Sequence, residues 1–302
     1  MDIQSKIILI SGPTCSGKSK FALKVAKKVN GEIINADSMQ VYKDLQVLTA
    51  RPKKKDQKNI KHHLYGFIDF NKKFSTGDWL KESLKKIKEI RKRKKIPIFV
   101  GGTGLYFQCL IHGLVKIPKI PIKLSNTVRT IQKRNGQKKF YKKLLNLDSK
   151  IKDRFDSNDS QRSIRAFEIK TYTKISMYDW LNKTKSKFKE NDFTKYYINF
   201  ERKNLVTRIE KRTNQMFKNG IIDEVKKFNK LKIKKDHSIN KVIGINELNR
   251  YLNQEITLKE TKELINIRTR QYAKRQSTWA RSKMNSWESI DPKKLYSRFE
   301  NY

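Results

Sequence analysis

The sequence predicts an α/β protein: a P-loop-type parallel sheet flanked by helices, with a helical insertion domain and a helical C-terminal region. Residues 7–29 have the pattern of a short apolar strand, a glycine-rich turn and a helix. Apolar runs then alternate with helix-periodic segments as far as residue 119, and residues 120–190 become basic and helical. Strands that alternate with helices form parallel sheets, and functional side chains gather at the carboxyl ends of such strands.

The first strand leads into a phosphate-binding loop. Gly12–Ser19 matches the pattern G-x-x-x-x-G-K-[ST], and strand, loop and helix come in the order that this motif requires. Backbone N–H groups at a helix N-terminus bind oxyanions. We expect Lys18 to supply a positive charge and Ser19 a hydroxyl for Mg²⁺ or a phosphate oxygen. The pattern leaves open which phosphate the loop binds.

Two further apolar runs predict strands that end near this loop. The run "GEIINADS" places Asp37 just past its end, and "IPIFVGGTG" ends at a glycine turn that contains Thr103. In P-loop NTPases an apolar strand ends in an aspartate that helps to hold Mg²⁺, whereas this one ends in glycine and threonine. Asp37 is therefore either a turn former or helix cap, or a proton acceptor beside the phosphate loop. Apolar spacing predicts a helix over 79–90 between the two strands.

The remaining segments predict the division into domains. Residues 120–190 interrupt the α/β pattern with basic, helical segments, which indicates an insertion. The stretch "KYYINFE" at 195–201 predicts another buried strand, after which we expect helices only. The predicted domains are a P-loop-like catalytic core formed by 1–119 and 191–302, and a helical insertion at 120–190.

Composition and charge narrow the class of protein. The 302 residues are 36% hydrophobic, enough for a packed core, and the formal net charge of +42 favours nucleic acid as a partner. No run of 18 apolar residues is present, so we expect no membrane span. Two cysteines and a first strand that begins near Lys6 lead us to expect a cytoplasmic protein without a targeting peptide. We also expect a monomer.

Pairs and stripes of polar residues each have two interpretations. Arg208 and Arg212 lie four residues apart on one helix face, either as a solvated basic face or as two guanidiniums for a diphosphate. His62 and His63 are adjacent, without a nearby carboxylate or cysteine cluster, which favours packing or substrate contacts over a metal site. A basic and aromatic stripe at helical spacing suits stacking on bases or packing on the core. Its members are Ile265, Arg268, Tyr272, Arg275 and Trp279.

A set of motifs runs in a fixed order over nearly the whole chain. They are "SGPTCSGKS", "NADSMQVYKDL" leading to "TARP", "HHL", "FVGGTGLYF", "QRSIRAFEI", "RIEKRTNQMFKNGIIDEV" and "TRQYAKRQSTW". The set resembles the bacterial tRNA dimethylallyltransferases, also called tRNA isopentenyltransferases. That family transfers a dimethylallyl group from dimethylallyl diphosphate to the exocyclic amine, N6, of an adenosine. The adenosine lies 3′ of the anticodon in tRNAs that read codons beginning with U.

The resemblance implies roles for the matching residues. Asp37 would accept a proton from the amine, Thr103 would contact the substrate nucleotide, and Arg212 would join them in catalysis. The residues implied in binding the donor's diphosphate, with Mg²⁺ at Ser19, are Gly12, Pro13, Thr14, Cys15, Ser16, Gly17, Lys18, Ser19 and Arg208. The residues implied in binding tRNA are Asp37, Ser38, Met39, Gln40, Thr103, Gln161, Arg162, Ser163, Ile164, Arg165, Lys274, Arg275, Gln276, Thr278 and Trp279. The insertion resembles the family's helical clamp for the anticodon stem-loop.

The sequence departs from the family pattern in two places. Ile245 and Asn246 replace the Tyr-Lys/Arg that follows glycine in the family pattern, and "LQVLTARP" replaces the commoner Asp-Ile-Gly-Thr-Ala-Lys-Pro.

Three alternative functions remain open: a transferase that acts on free AMP, ADP or ATP, a P-loop ATPase or kinase with affinity for RNA, and a plain RNA-binding protein. The long basic insertion argues against the first and the glycine ending of "IPIFVGG" against the second. The combination of Lys18, Ser19, Asp37 and Thr103 argues against the third.

Overall fold

The computed structural model describes residues 6–57, 59–233 and 237–291. The chain divides into two compact units, one formed by Met1–Ile111 with Lys189–Tyr302 and the other by His112–Phe188. The second unit starts earlier than the predicted insertion at 120–190. The predicted core also contains residues that lie outside the described part of the chain, namely 1–5, 58, 234–236 and 292–302.

A six-stranded sheet forms the centre of the first unit within the described residues. Its strands are β1 (Ile7–Ser11), β2 (Gly31–Asn35), β3 (His62–His63), β4 (Ile96–Gly101), β5 (Phe193–Ile198) and β6 (Glu288–Ile290). Their order across the sheet is β3-β2-β4-β1-β5-β6, and each described strand pair is parallel. The predicted parallel α/β sheet is therefore confirmed.

Helices surround the sheet and form the second unit. In chain order they are α1 (Lys18–Lys28), α2 (Thr76–Lys92), α3 (Gly104–His112), α4 (Ile122–Leu147), α5 (Ser160–Thr173), α6 (Met177–Asn182), α7 (Arg202–Lys218), α8 (Ile221–Asn229), α9 (Ile245–Leu252) and α10 (Leu258–Lys283). Shorter 3₁₀ turns occupy Lys54–Gln57, Ser149–Ile151, Glu190–Asp192 and Ser238–Lys241.

The apolar runs become the central strands because the sheet is covered on both faces. Every residue of β1 and β4 is buried, as is usual for parallel strands between layers of helices. Phe21 and Val25 of α1 pack into one cluster with Ile98 of β4. Trp79 of α2 packs edge-on to Phe99, with ring centroids 5.8 Å apart. These layers bring the carboxyl ends of β1, β2 and β4 to one edge of the sheet.

Helix α2 is longer than the sequence predicts because of its N-terminal cap. The prediction covered 79–90, and the helix spans Thr76–Lys92. The Ser75 hydroxyl accepts a hydrogen bond from the Asp78 N–H at 3.2 Å, and the Asp78 carboxylate accepts from the Ser75 N–H at 2.9 Å. This reciprocal pair satisfies free N–H groups of the first turn, so the helix starts before its first apolar residue.

Two short strands were missed by the sequence. The expectation of helices only after 195–201 is wrong, because β6 follows α10 and pairs with β5. β3 contains only His62 and His63, which pair with Ile33 and Ile34 of β2. Strands of two or three residues at a sheet edge are too short to show an alternating pattern, so periodicity cannot reveal them.

The second unit is built from α4, α5 and α6. Leu144, Ile151 and Ala166 are buried together at its centre. Helix α4 bends at Gly136, whose φ of 69° lies outside the helical range. Asp159 caps α5 by accepting a hydrogen bond from the Arg162 N–H at 2.9 Å. The unit is therefore an all-helical body with its own small core.

Candidate active site at the phosphate loop

The phosphate loop lies between β1 and α1. β1 ends at Ser11 and α1 begins at Lys18, so Gly12–Gly17 feeds directly into a helix N-terminus. Gly17 has a φ of 90° and Cys15 a φ of 63°, which turn the backbone sharply at these two positions. A loop of this kind presents backbone N–H groups to an oxyanion.

Lys18 lies in a polar cavity of about 210 Å³ beside this loop. The lining residues come from the phosphate loop, the segment after β2, the end of β4 and α7, and include Ser19, Asp37, Tyr65 and Arg212. Burial lowers the pKa of Lys18 to about 8, the Asp37 charge opposes that shift, and Arg212 adds to it. The cavity is therefore strongly cationic, because Lys18, Lys20, Arg208 and Arg212 all line it together with one carboxylate, Asp37.

The two arginines of α7 both reach the phosphate loop. Arg208 Nε donates to the Cys15 carbonyl at 2.7 Å, and its guanidinium lies over the Phe200 ring at 4.9 Å. Arg212 donates from one terminal nitrogen to Thr14 Oγ1 at 2.9 Å and from the other to the Thr49 carbonyl at 3.4 Å. Both guanidiniums line the polar cavity, Arg212 as a half-buried side chain and Arg208 as an exposed one.

Asp37 and Thr103 come together at the ends of neighbouring strands. Asp37 follows β2 and its carboxylate accepts a hydrogen bond from the Met39 N–H at 2.9 Å. The Ser38 N–H donates to Thr103 Oγ1 at 2.9 Å, which connects this turn to the turn after β4. Gly101 permits that approach, because a Cβ there would lie 2.0 Å from the Ala36 carbonyl oxygen. Burial raises the pKa of the Tyr65 hydroxyl, and the Asp37 charge raises it further.

A second, largely apolar cavity of about 280 Å³ adjoins the polar one. The two cavities share Thr14, Asp37, Thr49 and Arg212. The second continues away from the phosphate loop between hydrophobic side chains, namely Met39, Leu48, Ile209, Met216, Val242, Ile243 and Ile265. A ligand with an anionic head and a short hydrocarbon tail fits this arrangement.

A third cavity of about 230 Å³ lies on the other side of Ser38. It is lined by Thr103, Tyr197 and Trp279 among others, and it shares Ser38, Tyr272 and Arg275 with the apolar cavity. Trp279 packs against the glycine turn so closely that a Cβ on Gly104 would lie 2.3 Å from its ring. Aromatic walls and hydroxyl groups of this kind suit a planar, hydrogen-bonding base.

The predicted RNA stripe on α10 is divided between these cavities and the core. Ile265 is buried, whereas Arg275 is exposed at the mouths of the apolar and third cavities. Lys274 and Thr278 are exposed. The side chain of Gln276 points inward, where it hydrogen-bonds the phosphate loop and the glycine turn.

The carboxylate of Glu224 is a feature that the sequence did not single out. Glu224 accepts hydrogen bonds from the backbone N–H groups of Gln46, Val47 and Leu48 at 2.7–2.8 Å. This holds the segment that ends at Thr49. Because these contacts involve only the backbone of that segment, the departure "LQVL" from the family pattern leaves them intact.

The other departure also has a structural account. Ile245 is buried in an apolar cluster with Leu48, and Asn246 is exposed. Glu247 follows them and accepts a hydrogen bond from the Gly244 N–H at 2.9 Å, which caps α9. The helix start and its packing are therefore formed without an aromatic residue and a cation at these two positions.

The histidine pair has structural partners. His63 hydrogen-bonds the buried Glu32 at 2.7 Å, and Arg93 donates to the same carboxylate at 2.7 Å. His62 contacts the Ile60 carbonyl at 2.8 Å. Across the described ranges, no group of three or more His, Cys, Asp or Glu side chains is arranged to hold a metal. Ser19 lines the polar cavity, so its hydroxyl could share an ion with the oxygens of a bound phosphate.

Residues 161–165, which the resemblance implies in tRNA binding, lie at the N-terminal end of α5 in the helical unit. Gln161, Arg162 and Arg165 are exposed. Ser163 is buried, where it donates to the Asp159 carbonyl at 2.8 Å and accepts from Gln137 at 3.0 Å. Its side chain is therefore engaged within the unit, and the two arginines and the glutamine face solvent.

None of the helices in the described part of the chain has the length and apolar character needed to cross a bilayer.

The fold and the site define a P-loop protein in which a phosphate loop and an apolar cavity meet at one carboxylate, Asp37. The family model described as IPP transferase matches residues 40–283. The tRNA dimethylallyltransferase of Pelagibacter ubique is 70% identical over 295 residues, which cover 98% of this chain and 94% of that protein. The enzyme of the same name from Rickettsia massiliae is 41% identical over 282 residues, covering 93% and 78%. The chain belongs to the IPP transferase family.

Solved structures agree with this assignment. A eukaryotic dimethylallyltransferase acting on tRNA superposes with a TM-score of 0.83 at 29% identity, covering 98% of this chain and 76% of that one. The tRNA isopentenylpyrophosphate transferase of Bacillus halodurans gives a TM-score of 0.69 at 31% identity, covering 97% and 94%. The fold predicted from the sequence is thus shared with known members of the family.

Proposed function

We propose that this protein transfers a dimethylallyl group from dimethylallyl diphosphate to N6 of the adenosine 3′ of the anticodon, in tRNAs that read codons beginning with U. The observation that carries the proposal is the meeting of a cationic phosphate cavity and an apolar cavity at Asp37. The names of the relatives supply the tRNA acceptor, and the basic charge of the chain supports it. The acceptor implies the cytoplasm as the place of action.

The donor would lie across the first two cavities. Its diphosphate would bind the N–H groups of the phosphate loop, Lys18, Arg208 and Arg212, because guanidiniums and a helix N-terminus suit phosphate oxygens. Its hydrocarbon group would enter the apolar cavity. The phosphate loop would thus hold a prenyl donor, and no nucleotide would be hydrolysed.

The transfer reaction uses the side chains that lie where the first two cavities meet. The lone pair of N6 attacks C1 of the dimethylallyl group, the C1–O bond breaks, and its electron pair leaves with the diphosphate. Asp37 accepts the proton that N6 loses, which is the contribution of a general base. Lys18 and Arg212 stabilise the charge that develops on the leaving group. Thr103 would orient the amine from the turn that faces Asp37.

Mg²⁺ is proposed as the cofactor, since Ser19 is the loop residue whose hydroxyl suits it and diphosphate oxygens supply further hard ligands. When bound, it would neutralise part of the diphosphate charge. The residues that would share that task are Lys18 and Arg212, which donate hydrogen bonds to the Pro13 carbonyl and to Thr14 Oγ1 of the loop.

The acceptor would approach from the third cavity. The target base must leave the anticodon-loop stack to reach a closed site, and Trp279 and Tyr272 offer aromatic surfaces for it. The helical insertion would grip the anticodon stem through exposed basic residues such as Arg162 and Arg165. The described arginines of α10, in particular Arg275, would contact the RNA backbone beside the cavity.

The experiment that tests the function uses bulk tRNA. The protein is incubated with dimethylallyl diphosphate and Mg²⁺, and the tRNA is digested to nucleosides for mass spectrometry. Dimethylallyladenosine is expected, in tRNAs that read codons beginning with U. Hydrolysis of added ATP in step with turnover would instead support the ATPase alternative.

A further inference from the structure

The side chain of Gln276 connects two loops that follow different strands. Its Oε1 accepts a hydrogen bond from the Thr14 N–H at 2.8 Å, and its Nε2 donates to the Gly102 carbonyl at 3.0 Å. Thr14 belongs to the phosphate loop, and Gly102 immediately precedes Thr103. Both ends of one carboxamide are therefore used to hold the donor-binding loop against the turn that carries Thr103.

The surroundings of this carboxamide fix its orientation. Gln276 lies one helical turn after Tyr272 on α10, and both side chains line the third cavity. A Cβ on Gly102 would lie 2.1 Å from Gln276 Nε2, so the amide lies against the backbone where a larger residue would displace it. Gln276 lines the third cavity but its polar atoms face inward, whereas the neighbouring Lys274 and Arg275 are exposed.

We propose that Gln276 is a positioning residue, which sets the separation between the donor's diphosphate and the acceptor amine. The inference rests on the proposed function, because that function places the donor at Thr14–Ser19 and the acceptor at Thr103. Transfer requires the reacting atoms to be about 3–3.5 Å apart, and a displacement of about 1 Å costs roughly 10²-fold in rate. A side chain that is hydrogen-bonded to both binding loops controls that separation directly.

A role in positioning and a role in RNA contact predict different kinetics. If Gln276 contacts RNA, its loss weakens the affinity for the anticodon stem-loop. If it positions the two loops, its loss lowers the rate within the ternary complex while both affinities are kept. Gln276→Met separates the two roles, since methionine has a similar length and lacks the two hydrogen bonds.

The test measures single-turnover transfer at saturating donor and stem-loop, together with equilibrium binding of each. For Gln276→Met we expect a rate lower by roughly 10²-fold with unchanged dissociation constants. Gln108→Met is the matched control: Gln108 of α3 donates to the Lys283 carbonyl at 3.2 Å and lines none of the three cavities described above. It should keep the wild-type rate.

Two outcomes would overturn the inference. One is a wild-type rate in Gln276→Met, and the other is a loss of stem-loop affinity as large as the loss of rate. If the variant fails to fold, amide hydrogen exchange of the unliganded wild-type protein tests the inference. The Thr14 N–H should be protected by its hydrogen bond to Gln276, and rapid exchange there would contradict the bridge. Failure of the wild-type protein to make dimethylallyladenosine would count against the proposed function instead.

Discussion

Arg212 donates a hydrogen bond to Thr14 Oγ1 at 2.9 Å, which joins α7 to the phosphate loop. The other terminal nitrogen of Arg212 faces the Thr49 carbonyl at 3.4 Å. The guanidinium therefore spans the loop after β1 and the segment after β2 and is held in one plane at the wall of the polar cavity. Arg212 therefore places a positive charge in the wall of the polar cavity.

Arg212→Lys should weaken donor binding although it keeps the charge. An ammonium cannot copy a planar, two-pronged contact, and a hydrogen bond to a charged group is worth about 1.5–3 kcal/mol, or roughly 10–100-fold in affinity. Equilibrium binding of a non-reacting donor analogue measures the loss. Arg202→Lys, at the exposed start of the same helix, is the control and should bind like the wild type. Unchanged binding in Arg212→Lys would remove Arg212 from the donor site.

Asp37→Asn should lower the rate of transfer and leave both substrates bound. Asparagine keeps the size of the side chain but cannot accept the proton, and loss of a general base costs roughly 10²–10⁴-fold. Its amide oxygen can still accept the hydrogen bond from the Met39 N–H, so the turn should persist. Single-turnover assays with saturating substrates check this, with stem-loop binding measured alongside. A variant that reacts at the wild-type rate would exclude Asp37 as the base.

Donor affinity should fall as the pH rises through 8. Burial holds the pKa of Lys18 at about 8 in the unliganded protein, so the protonated form that attracts diphosphate is lost above that pH. The dissociation constant of a donor analogue should therefore rise between pH 7 and pH 9, by up to about tenfold for each pH unit above the pKa. Lys18→Arg stays charged across this range and should remove the dependence. An equally steep dependence in Lys18→Arg would assign the titration to another group.

The helical unit should decide which acceptor is used. Replacing residues 113–187 by a short Gly/Ser linker removes the basic helices but leaves Lys18, Ser19 and Arg212 in place. We expect donor binding to survive and transfer to an anticodon stem-loop to be lost. In the intact protein, stem-loop affinity should fall with salt, with a log–log slope of about −0.9 for each neutralised phosphate of duplex. Near-complete modification of the stem-loop by the folded deletion variant would show that the grip lies elsewhere.

The parts of the fold that the sequence predicts are those with a local signal. β1, β2, β4 and β5 are apolar runs, and the phosphate loop is a contiguous motif, so each could be located from its own residues. β3 and β6 could not, because two or three residues carry no period. Their positions depend on pairing with β2 and β5.

The candidate site likewise contains residues that a local sequence signal predicts and contacts that no local signal predicts. Asp37 and Thr103 follow predicted strands, and parallel topology alone brings strand ends together at one edge. The bridge from Gln276 to Thr14 and the grip of Glu224 on residues 46–48 join segments far apart in the chain. No spacing rule encodes such contacts, since they depend on how α8 and α10 pack against the loops.

The most direct test of the central claim compares three acceptors with isotopically labelled dimethylallyl diphosphate and Mg²⁺. The first is an anticodon stem-loop, the second is the same stem-loop with inosine in place of the target adenosine, and the third is AMP. We expect rapid labelling of the first and none of the second, because inosine has an oxygen where adenosine has the amine. AMP should be labelled slowly or not at all. Preferential labelling of AMP, or equal labelling of the inosine stem-loop, would contradict transfer to the amine of a tRNA adenosine.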